Sequence, residues 1–168
     1  MSPFLCSAAA LAGIAMAGCT QPEAPRPGTG GNLYASLASH GARVDAGAAR
    51  DLISIYRRNN GRSVLRIDPT LQAIAQEQVR IMAANGGANN SVRAGLAGKL
   101  ARAGHKQNIA IQNVSSGYHT LPEAFSGWRQ SKPHNANMLS RNVRRMGIAT
   151  AYVPGTKYRV HWALVLAD

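Results

Sequence analysis

MGIATAYVPGTKYRVHWALVL, residues 146–166, is the stretch that decides the fold class. Two apolar runs, 146–153 and 158–166, flank Pro154-Gly155-Thr156-Lys157, which is turn composition between strands. The stretch reads as a β-hairpin. In its second run Lys157, Arg159 and His161 alternate with Tyr158, Val160 and Trp162. Side chains alternate along a strand, so the pattern predicts a half-buried strand with aromatics in the core and cations in water. Basic residues interleaved with aromatics also suit a nucleic-acid surface. The chain has only 2 Phe, 2 Trp and 5 Tyr, and Phe125 and Trp128 are needed for packing, so few remain as stacking platforms and the half-buried strand is preferred.

Upstream of the hairpin the signals are mostly helical. Asp45 suits an N-cap for a helix with Ala49, Leu52, Ile53 and Tyr56 at i, i+3, i+4 and i+7, stopped by Asn59-Asn60-Gly61. Asp68-Pro69 reads as N-cap and N1 of a second helix, with Leu71, Ile74, Ala75, Gln78 and Met82 on one side and Gly86-Gly87 at its end. A third helix is expected over about 92–103, with Leu96 and Leu100 inward. Residues 108–115 alternate as a strand, and Thr120-Leu121-Pro122-Glu123 forms a capping box for a fourth helix carrying Phe125 and Trp128. Residues 32–44 suit a short helix or a strand equally. Helices, a strand, a helix and then paired strands predict an α+β domain with an antiparallel sheet under helices.

The chain has 168 residues, one domain's worth, which excludes a TIM barrel or a two-domain enzyme. Its 19 Lys+Arg against 7 Asp+Glu leave +12, so an electrostatic partner is anionic. Residues 45–168 hold 17 basic and 6 acidic residues, so nearly all the excess belongs to the expected domain. Residues 4–18, FLCSAAALAGIAMAG, are apolar, uncharged and too short to span a bilayer, which takes about 20 residues, but they suit the core of a secretory signal. Met16-Ala17-Gly18-Cys19 resembles the lipobox of bacterial lipoproteins, which implies cleavage before Cys19, its lipidation, and loss of Cys6 with the signal. Thr20 after that cysteine resembles outer-membrane sorting. QPEAPRPGTGG, residues 21–31, reads as a tether. The expected organisation is a signal at 1–18, a lipid-anchored tether and lead-in at 19–44, and a domain at 45–168.

Residues 51–167 together resemble the bacterial branch of the CAP superfamily, the SCP-like domain of cysteine-rich secretory, antigen 5 and pathogenesis-related 1 proteins. LISIYR (52–57) is similar to its opening helix and LRIDPTL (65–71) to the entry of its second. Gln112-Asn113-Val114 lies where the family has Gly-Glu-Asn, and WRQSKPHNANML (128–139) is similar to its W-x-x-S-P-x-H-x-x-N-I/M-L stretch. Residues 146–149 and 158–166 match its closing strands. The resemblance implies a three-layer α-β-α sandwich with a small, mainly antiparallel sheet. It also implies a cleft with two histidines and two acidic residues able to hold zinc.

Matched position by position, this chain keeps one of the four. His134 matches one histidine, Asn90 replaces the other, Gln112 replaces the glutamate, and no carboxylate stands at 128–131. Amide oxygens are poor zinc ligands and have no proton to exchange at useful pH. The expected site is therefore a hydrogen-bonding cleft of Asn90, Gln112, Asn113, His134 and Asn137, with no cofactor, no confident catalytic residue, and His134 only a weak metal candidate. His134 suits a structural bond to nearby backbone or contact with a ligand. Ser131 and Ser140 lie near it, but no G-x-S-x-G surrounds either. His105, just past a helix end, reads as a surface residue. Arg57, Arg58, Arg62 and Arg66, and then Arg141, Arg144 and Arg145, read as two solvated basic clusters. The function expected is an exported, envelope-anchored binding protein for an anionic, glycan or lipid envelope component. The alternative is a cell-wall or peptide hydrolase, and an exported nucleic-acid binder is a more distant third.

Overall fold

The computed structural model describes residues 32–88, 92, 95–106 and 109–168; the expected signal, Cys19, the tether as far as Gly31, and Asn90 lie outside the described residues. The elements in chain order are α1 (Ala46–Asn59), β1 (Arg66–Ile67), α2 (Pro69–Ala84), α3 (Leu96–Arg102), β2 (Ala110–Ser116), α4 (Leu121–Gln130), α5 (Lys132–Met138), β3 (Arg145–Tyr152) and β4 (Val160–Ala167). Three helices begin where side-chain caps relieve the orphan N–H groups of the first turn. Asp45 Oδ1 accepts from Ala48 N (3.0 Å), Asp68 Oδ1 from Leu71 N (3.0 Å), and Thr120 Oγ1 from Glu123 N (3.4 Å). Glu123 returns the bond one residue earlier than a capping box requires, to His119 N (2.7 Å).

The sheet order is β1-β3-β4-β2, with β1 parallel to β3 and the other pairs antiparallel. Alternation along the strands builds two cores, one on each face. Met146, Ile148, Val160, Trp162, Leu164 and Leu166 face α1 and α4, while Val114, Ala149, Ala163, Val165 and Ala167 face α2 and α3. The result is the expected α+β three-layer sandwich. The α2 face is built of small residues, and a Cβ at Gly147 would collide with the backbone of Leu71 and Gln72, so the start of α2 lies directly on β3. Trp128 and Trp162 meet edge-to-face at 6.0 Å on the other side, and each buried indole N–H has a partner, Ser115 Oγ (3.0 Å) and Tyr118 O (2.8 Å).

Several expectations are corrected. The last strand is not half-buried: it is central in the sheet, and all of Val160–Ala167 is buried. Lys157, Tyr158 and Arg159 precede it and are exposed, whereas His161 is 0% exposed and its Nδ1 meets Ser116 Oγ at 2.7 Å. His105 is no surface residue, because its side chain is packed between Asp68 and Arg145, with Nε2 3.4 Å from Asp68 Oδ2 and 3.0 Å from Arg145 Nη1. The third helix is described over Leu96–Arg102, and residues 32–44 form neither helix nor strand. That lead-in is nonetheless docked, with Leu37 buried in the α1-side core and its N–H bonded to His119 O at 2.7 Å.

Candidate functional site

Strand β2 is an edge strand, and its two adjacent amides point to opposite faces. Gln112 turns to the α2 layer, where its Oε1 accepts from Gln78 Nε2 (2.7 Å) and its Nε2 donates to Val92 O (3.2 Å). Asn113 turns to α5. It is fully buried, donates from Nδ2 to His134 O (3.0 Å) and accepts at Oδ1 from Asn137 Nδ2 (2.9 Å). Asn137 Nδ2 also donates to Gln112 O (3.1 Å), which closes the connection around the strand edge. The fold thus brings Gln112, Asn113 and Asn137 together, with the main chain of His134. Asn90 lies outside the described residues.

Of these, Gln112 and Asn137 border a groove of about 360 Å³ that runs around the β2 edge from α3 to α5, lined also by Leu96, Ala97, Ala110 and Val114. Sequence reasoning missed Gln78, placed on an apolar helix side by its spacing. It is fully buried, and its Nε2 serves both Gln112 Oε1 and Val92 O (2.9 Å) while its Oε1 has no partner among the described residues. The available signal was a lone amide between Ile74 and Met82 at helical spacing. A buried amide oxygen without a bond costs about 1–3 kcal/mol, so the network carries an unmet acceptor beside the groove.

The zinc constellation that the resemblance implies does not fit these residues. The oxygens of Gln112 and Asn113 are already engaged by amide donors, and among the described residues no three His, Cys, Asp or Glu side chains gather to hold a metal ion. An amide set of this kind grips hydroxyls, carbonyls and N–H groups by hydrogen bonding and has no group to shuttle a proton.

The basic clusters are also rearranged. Arg57, expected in a solvated face, is 0% exposed. Its guanidinium donates to Ser63 O (2.7 Å), Met138 O (2.6 Å), Ser140 O (3.0 Å) and Val143 O (3.1 Å). Burial, with Arg144 and Arg62 nearby, lowers its pKa to about 10, so it remains charged at neutral pH. By tying 138–143 to the end of α1, it merges the two basic runs into one surface. Arg145 stands apart, bonded to Asp168 O (2.6 Å) and Asp68 Oδ2 (3.4 Å). Burial pushes the Asp68 carboxyl up, but bonds from Leu71 N, His105 and Thr70 outweigh it and hold the pKa below the usual value.

Residues 50–166 match CAP, the cysteine-rich secretory protein family. No curated protein sequence matches significantly. Among solved structures, a cysteine-rich secretory protein from Staphylococcus aureus subsp. aureus Mu50 aligns with a TM-score of 0.59 at 20% identity, over 73% of this chain and 38% of its own. An extracellular protein containing an SCP domain from Bacillus anthracis str. Ames aligns at 0.62 and 18% identity, over 73% of this chain and 40% of its own. An outer surface protein from Borrelia burgdorferi aligns at 0.62 and 16% identity, over 75% and 96%. The chain spans about two fifths of the length of the first two. At these identities the likeness is one of fold.

Proposed function

Because the chain belongs to the cysteine-rich secretory protein (CAP) family, we propose that it is an exported, envelope-associated binding module whose β2–α5 groove takes a glycan. The observation that carries this reading is the amide-only polar lining of the groove: Gln112 and Asn137, held by Gln78 and Asn113, beside Leu96, Ala97 and Val114. Amides donate and accept, which complements hydroxyl and acetamido groups, and the aliphatic wall suits the apolar face of a sugar ring. Export is supported by the signal-like residues 4–18 and by the extracellular and outer-surface relatives. Lipidation at Cys19 would hold the domain at a membrane through the Pro/Gly-rich tether, and the +12 charge favours an anionic envelope as its setting.

The test is sedimentation of the full chain with purified peptidoglycan, with chromatography of the soluble fraction. Binding without release of fragments is expected. Ala97→Trp, which fills the groove from an exposed position, should weaken binding at least ~10-fold, the worth of one or two good contacts. Its melting temperature should stay unchanged. Fragment release that His134→Ala abolishes would replace this reading with a hydrolase, and absence of binding would remove the glycan.

A further inference from the structure

The fold has a second surface, at the sheet edge opposite the groove. Strand β1 is one edge and β2 the other. A groove of about 510 Å³ runs between α1 and β1, lined among others by Arg50, Ser54, Arg58, Val64, Arg66 and Ile67. Three of the chain's exposed large hydrophobic residues belong to this side: Ile55 (49% exposed), three residues before Arg58 on α1, Val64 (44%) and Ile67 (37%). The single acidic residue lining the groove, Asp51, is paired with Arg50 at 2.7 Å. Arg57 brings the 138–143 segment to the same end, which sets the exposed Arg141 and Arg144 beside Arg58, Arg62 and Arg66.

We propose that this α1–β1 face, with Ile55, Val64 and Ile67 among Arg58, Arg66, Arg141 and Arg144, docks the domain onto an anionic lipid bilayer. Two features select a membrane over a discrete anion or an acidic peptide. The guanidiniums are exposed and come from three separate segments, so positive charge is spread over a face and not focused on one point; a planar anionic surface complements that distribution. The aliphatic side chains stand among those charges, which is how a peripheral surface enters the headgroup boundary. Among the described residues no helix is long and apolar enough to cross a membrane. With β1 toward lipid, the β2 groove points away and stays open to its ligand.

The inference rests on the export part of the proposed function and not on the glycan, so the two fail separately. The full chain is sedimented with phosphatidylcholine vesicles, with and without about one-third phosphatidylglycerol. The apolar contribution of the N-terminal residues is common to both lipids, and the comparison of two arginine pairs reads the face. The wild type should prefer anionic vesicles and lose that preference between about 50 and 500 mM salt. Arg58→Ser with Arg66→Ser should weaken anionic binding about 30-fold, two charges at about fivefold each. Val64→Ser with Ile67→Ser should weaken it roughly tenfold while keeping the salt dependence. Arg80→Ser with Arg102→Ser, exposed on the α2–α3 side, removes the same charge from elsewhere and should stay within about twofold of wild type. Equal binding to both lipids, equal loss in the two arginine pairs, or capture of polyglutamate with vesicles ignored would each overturn the proposal. Peptidoglycan binding without vesicle binding would overturn it and leave the glycan reading standing.

Discussion

Replacing Asn113 tests whether the candidate groove is held by side-chain amides or by backbone pairing alone. Asn113→Leu keeps the volume of this fully buried residue and removes two bonds, to His134 O and from Asn137 Nδ2. Each such bond contributes about 1 kcal/mol, and an orphaned buried carbonyl or N–H adds a desolvation cost of about 1–3 kcal/mol. Asn137 keeps its bond to Gln112 O, so one of its donors remains satisfied. A loss of about 3–5 kcal/mol follows, or roughly 12–20 °C at about 4 °C per kcal/mol for a domain of this size. Urea and thermal unfolding followed by circular dichroism measure it.

Asn113→Asp gives the sharper reading. It removes the donor to His134 O and puts a buried carboxylate against that carbonyl, so burial and the missing partner raise the introduced group's folded-state pKa. A raised folded pKa means stability that is present when the group is protonated and is lost as pH rises through it. This variant should therefore be more stable near pH 5 than near pH 7 relative to wild type. A loss below about 0.5 kcal/mol for Asn113→Leu, or greater relative stability of Asn113→Asp at neutral pH, would refute the clamp.

Two further outcomes follow from the same structure. Arg57→Met leaves two buried and two part-buried carbonyls without their donor and should cost about 3–5 kcal/mol, with Arg57→Lys intermediate because an ammonium cannot match the fork; equal chemical stability of all three proteins would show that the hub is dispensable. Burial lowers the His161 pKa, so the unfolded chain takes up its proton first and stability should fall as pH drops below about 6.5, ahead of the Asp68 loss that starts near pH 4. His161→Asn should flatten the upper part of that acid limb in urea midpoints, and an unchanged slope would assign it elsewhere.

Short-range signals carried the helices: Asp45, Asp68 and Thr120 each cap the helix whose start they marked, because a cap is made within four residues. Strand β1 was not legible, since two residues have no periodicity and exist as a strand only through pairing with Arg145 and Met146. The adjacency of Gln112 and Asn113 guaranteed opposite faces, but which layer covers each depends on the edge position of β2 and on α5 docking against it. Gln78 was hidden by its spacing, because an amide on an apolar helix side looks the same whether it faces water or a buried network.

The charge excess and the α+β class were set by the sequence alone, because composition and local patterning need no partner. Tertiary structure decided the rest. It buried Arg57 and His161 and joined two arginine runs about eighty residues apart through one guanidinium bonded to Met138, Ser140 and Val143. It also set the amide groove and the basic apolar face on opposite sheet edges. The physical reason is that burial and charge proximity belong to pairs of segments distant in the chain, and only packing brings those segments into contact.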